Sequence, residues 1–188
     1  MTSLARQPLF LASLFLVPLL TLAAPAWLGI AGVGPSWAVL WLLPWALVDG
    51  PVSGVLAALV LGLFLDGLHP GPVSEIPSLL LLGWWWGRLG RRFPPLERSF
   101  SLGLLAMIGS ALVGISLLLQ FALFSPEGLL QGLREVPPSL SPRGWTSSVL
   151  ALAGLQILGA QILITGLLAP ILCSLQLLFW RRQRSLQR

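Results

Sequence analysis

Apolar residues run through this chain in long, nearly unbroken blocks, and the charged residues fall in short clusters between them. The blocks predict helical spans at about 9–28, 36–48, 52–65, 78–90, 100–124 and 147–180. Gly29–Pro35, rich in Gly and Pro, reads as a tight turn, and Asp49-Gly50-Pro51 breaks the second apolar block. Proline lacks an amide donor and restricts the residue before it, so a helix cannot run evenly through that point. The third span is short for a crossing, rising only about 20 Å against a hydrocarbon thickness near 30 Å. Burial in the middle of a bundle would accommodate that shortfall.

The third block also carries the most informative spacing. Gly50, Gly54, Ala58, Gly62 and Asp66 recur every four residues. On a helix this stacks small side chains into a groove that ends at a carboxylate. Such a groove lets a neighbouring backbone approach closely in lipid. In a straight helix the stripe drifts by about 40° per step, which suits a crossed contact. A second stripe, Ala106, Ser110 and Gly114, lies in the fifth span and is a plausible partner for the first.

Composition turns these blocks into a class. The chain has 188 residues, of which 56% are hydrophobic and 9% charged, and its mean hydropathy is +0.89. A soluble domain carries roughly a quarter charged residues, so this chain cannot cover a water-facing surface. The expected class is an all-α integral membrane protein, with about six transmembrane helices in one bundle forming a single domain over 1–188. The formal charge of +5 comes from eleven arginines and no lysine. They lie at the ends of apolar blocks rather than along one basic face, so the pattern points to topology and anionic headgroups, not nucleic acid.

With six spans and a cytoplasmic amino terminus, Arg6, Arg88, Arg91, Arg92, Arg98, Arg181, Arg182, Arg184 and Arg188 fall inside, leaving Arg134 and Arg143 outside. Five spans, with the second and third fused, is the alternative. Splitting the region after Ser147 would put the basic tail outside, so a single long helix, which Pro170 could kink, is expected there. Leu22-Ala23-Ala24 resembles a signal-peptidase site, but the block is long for a signal core and an uncleaved first helix is preferred. Trp84, Trp85 and Trp86, beside the basic cluster, read as an interfacial anchor. The segment 128–136, in the polar loop 125–146, has the mixed character of a short interfacial helix.

Candidate chemistry is sparse. Asp66 could couple an ion, but Asp49 and Asp66 are separated by about 25 Å of helix, which puts each near a membrane face rather than at the midplane. Capping or interfacial placement is the expected role. Asp66, His69 and Glu75 offer loose metal-ligand chemistry without a second histidine or a cysteine, so no metal or other cofactor is expected. Gln120, Gln156, Gln161, Thr165 and Gln176 read as hydrogen-bonding glue between helices more readily than as a solute path. Cys173 reads as a small buried hydrophobe. No nucleophile has an evident base and no phosphate loop is present, so enzymatic activity is not expected.

The order of features resembles the rod shape-determining protein MreD family of bacterial inner-membrane proteins. The resemblance lies in the short span with small residues closing on an acid, from Gly54 through Ala58 and Gly62 to Asp66. A Gly- and Pro-containing loop over 67–72 follows, then a span leading into a basic cluster. It implies a fold similar to the substrate-binding subunits of energy-coupling-factor vitamin transporters. It further implies a scaffold in the cell-wall elongation machinery of the bacterial inner membrane that contacts MreC, while the arginine pattern places both termini in the cytoplasm. The alternative it leaves open is a vitamin-binding transporter subunit built on that fold.

Overall fold

The computed structural model describes residues 8–23, 33–68, 73–92, 99–124 and 147–186. Every regular element among them is helical: α1 Pro8–Ala23, α2 Trp37–Asp49, α3 Pro51–Leu68, α4 Ile76–Arg92, α5 Ser99–Phe124 and α6 Ser147–Leu186. Three helices are long and apolar enough to cross a membrane, through Pro51–Leu68, Ser101–Gln120 and Gly154–Phe179, while α1 and α2 hold shorter apolar segments. The chain is therefore a helical membrane protein. The expected turn at Gly29–Pro35 is described only from Val33 onward. His69 and the 125–146 loop, with its expected helix over 128–136, lie outside the described residues.

The centre of the bundle is α2, not α3. Every residue from Trp37 to Ala46 is buried, whereas α3 turns Val52, Leu56, Leu63 and Phe64 outward. Helix α2 touches all five others, α3 packs most extensively on α4, and α5 packs most extensively on α6. The expectation that the third span is the buried one fails because its small residues form only one stripe. Large apolar side chains occupy its other faces and meet the surroundings. On α2 the Trp41 and Trp45 rings stack at 4.9 Å, and bulky residues fill every direction around the axis.

Polar side chains hold α2 in place. The Trp41 indole donates to Ser13 Oγ of α1 at 3.1 Å and the Trp45 indole to Ser53 Oγ of α3 at 3.1 Å. On the α6 side, the Ser36 amide donates to Thr165 Oγ1 at 3.0 Å, Thr165 donates to the Gln161 carbonyl at 2.6 Å, and the Cys173 thiol donates to the Leu40 carbonyl at 3.6 Å. In an apolar medium each such bond satisfies a group that has no water to turn to. Helix α1 is tied in further by buried Leu14 and Val17 and by an edge-on contact of Phe15 with Phe64 at 5.2 Å.

The break at Asp49-Gly50-Pro51 falls where the sequence places it. Gly50 adopts φ +95°, a conformation that costs little only without a Cβ, and Pro51 opens α3, where a missing amide hydrogen is no loss. From there α3 has 18 residues, so it rises about 27 Å rather than 20 Å and is not short. The added length is Pro51 at its start and Asp66-Gly67-Leu68 at its end. The final region is one continuous helix of 40 residues that includes Pro170. It rises about 60 Å and carries Arg181 and Arg182 on its last turns rather than on a tail.

Candidate functional site at the two ends of the α3–α4 hairpin

Helices α3 and α4 run antiparallel and meet backbone to backbone. A Cβ built on Gly54 would lie 2.6 Å from the Gly83 carbonyl oxygen, and one built on Gly83 would lie 2.5 Å from the Gly54 oxygen. Further along, Gly62 faces Ile76, Gly87 faces Pro51, and Gly90 faces Leu47 at the end of α2. The stripe Gly54–Ala58–Gly62 therefore receives α4 through Gly83 and Ile76, while Gly87 and Gly90 meet the α2–α3 break at Gly50-Pro51 and Leu47. Ala106, Ser110 and Gly114 of α5 are not its partner. Gly114 instead faces Leu158 of α6, and the neighbouring Gly109 sits against the Trp86 ring.

One end of this hairpin is a polar clasp. Asp66, in the last turn of α3, accepts the Glu75 amide through Oδ1 at 2.9 Å and the Ser74 hydroxyl through Oδ2. Its carboxylate thereby caps the start of α4, where free amides and the positive end of the helix dipole favour an anion. Gln120 of α5 closes the other side. Its Oε1 accepts the Ser74 amide at 2.9 Å, and its Nε2 donates to the Ser74 carbonyl at 2.8 Å and to Ser116 Oγ at 3.1 Å. Three helices are thus tied through one residue, Ser74, its hydroxyl bonding to α3 and its backbone to α5. The chemistry of the arrangement is positional, since both carboxylate oxygens of Asp66 are engaged in capping.

The opposite end is basic. Arg88 and Arg91 lie within α4, as does the backbone of Arg92, rather than in a loop after the span. Arginine is a good helix former, and the negative end of the α4 dipole favours cations in its last turns. The Arg88 guanidinium lies 4.7 Å above the Trp84 ring, one helical turn back. Arg91 runs beside Gly50, where a Cβ would meet its Nε at 3.0 Å. The three consecutive tryptophans do not form one anchor. Trp84 is 44% exposed, Trp85 is half-buried, and Trp86 is fully buried. Successive helical residues are 100° apart, so neighbours in sequence face different surroundings.

Asp66, Gly54, Ala58 and Gly62 are thus brought together with α4, while Gly50 is a hinge between α2 and α3 rather than the first step of a helical stripe. Gln120 is confirmed as a bond between elements, whereas Gln156 is exposed. Ser74 and the Gly83–Gly87–Gly90 face were not singled out from sequence. The signals were present: serine shortly before Pro77 marks a helix start, and small residues four and three apart mark a close contact. Among the described residues, the Trp86 indole nitrogen and Ser110 Oγ are buried without a hydrogen-bond partner. Comparison with family models, with curated proteins and with solved structures finds no match to this chain.

Proposed function

We propose that this chain is a non-catalytic membrane scaffold of the MreD kind, acting through contact with an MreC-like partner in the cell-wall elongation machinery. The observation that carries this reading is the α3–α4 hairpin. Its small-residue stripe closes on an acid whose two oxygens cap the next helix. Those are the residues in which the chain resembles that family. The polar groups at the Asp66 end bond one another, a use that fits a rigid platform better than a ligand pocket. On this reading α1–α6 make six crossings of a bacterial inner membrane, with the arginine end of the hairpin and both termini in the cytoplasm.

Depletion in a rod-shaped host carrying this chain tests the proposal. The expected result is rounding of the cells, with an MreC-like protein recovered when the tagged wild-type chain is purified from membranes. Unchanged cell shape would sink the scaffold reading. Thermal stabilisation of the purified chain by one member of a vitamin panel, without such a partner, would favour the transporter-subunit alternative instead.

A further inference from the structure

At the basic end of the hairpin, a groove of about 640 Å³ lies over the seam of α3 and α4. Val52, Val55 and Leu56 form its apolar wall, and Trp84, Arg88 and Arg91 form its rim. The lining holds two arginines and no acid. Val52 is 69% and Leu56 58% exposed, and this wall continues along the outward face of α3 to Leu59, Val60 and Leu63. Arg88 and Arg91 are themselves exposed, and Arg88 is held over the indole of Trp84. The α3 and α4 dipoles oppose one another here, so the charge of the lining is that of Arg88 and Arg91.

We infer that this groove binds one anionic phospholipid. The phosphate sits between Arg88 and Arg91, where planar guanidinium donors match its oxygens, and the first part of an acyl chain lies on Val52, Val55 and Leu56. Trp84 occupies the depth at which the headgroup gives way to hydrocarbon, the level such rings favour. Charge complementarity selects an anionic headgroup. The apolar wall, continuous with a flank that faces lipid, selects a molecule with chains over a free phosphate. Basic pockets between membrane helices are a physically established way of holding anionic headgroups. This site lies at the far end of α3 from the Asp66 clasp and does not depend on the scaffold reading.

The test uses the full chain purified in detergent and delipidated, with native mass spectrometry after adding either phosphatidylglycerol or phosphatidylcholine. Preferential retention of one phosphatidylglycerol is expected, and the Arg88→Gln/Arg91→Gln variant should weaken it about thirtyfold. A Val55→Trp variant, which fills the groove and leaves both arginines, should also lose the lipid, and it serves if the double variant does not fold. Equal retention of the two lipids would overturn the site. So would unchanged phosphatidylglycerol retention in either folded variant. Displacement of the lipid by an equal concentration of glycerol phosphate would show a bare phosphate site and overturn the role of the apolar wall.

Discussion

Gly83 and Gly154 are both helical glycines, yet the space around them differs completely. A Cβ on Gly83 would lie 2.5 Å from a backbone oxygen of the neighbouring helix, whereas a Cβ on Gly154 would meet nothing within 4 Å. Gly83→Ala must therefore push α3 and α4 apart and is expected to destabilise by about 1–3 kcal/mol. Gly154→Ala should stabilise by about 0.5–1 kcal/mol, because alanine loses less backbone freedom in a helix. Thermal melting of the two variants in the same detergent checks the pair, and equal effects would contradict the close contact. At this scale the stripe on α3 was legible from its four-residue spacing. Its partner was not, since a spacing identifies a groove without saying what fills it.

Among the elements, the clasp at Ser74 decides how α3, α4 and α5 are joined. Removing the Asp66 carboxylate deletes its bonds from the Glu75 amide and the Ser74 hydroxyl. Removing the Gln120 amide leaves both backbone groups of Ser74 open. Asp66→Leu and Gln120→Leu are each expected to cost about 1–3 kcal/mol. Hydrogen exchange at the amides of Ser74, Glu75, Ile76, Ser78 and Leu79 should speed up in both, with the far end of α4 unaffected. Protection unchanged in both variants would mean that the clasp does not hold the start of α4. The acid at the end of α3 was readable as a cap or interfacial residue. Its reach to Ser74 was not, because it depends on where the loop returns. Similarly, the arginines were readable as a cluster, but whether they continue a helix or leave it depends on what the α4 terminus packs against.

For the whole molecule the organising fact is the burial of α2. Leu42 is fully buried, and Cys173 of α6 is buried against the Leu40 carbonyl. Leu42→Ala should therefore lower stability by about 2–5 kcal/mol. The native Cys173 thiol reports the loss, since it should stay unreactive to a maleimide until the bundle opens. Labelling of the variant is expected at lower temperature or denaturant than in the wild type. Rapid labelling of the folded wild-type chain would contradict the packing of α6 on α2.

The sequence by itself determined the class of this protein and most helix boundaries. Scarcity of charge and long apolar blocks leave a chain no way to satisfy its backbone except as helices in a membrane. Gly and Pro then mark where helices must stop, as at Gly50-Pro51. Only the tertiary structure decided which helix is central, which stripe meets which, and where each of three adjacent tryptophans lies. Helices that are apolar on every side do not reveal which side faces protein and which faces lipid, because both are apolar. Shape complementarity breaks that tie, and it exists only once α4 has folded back along α3.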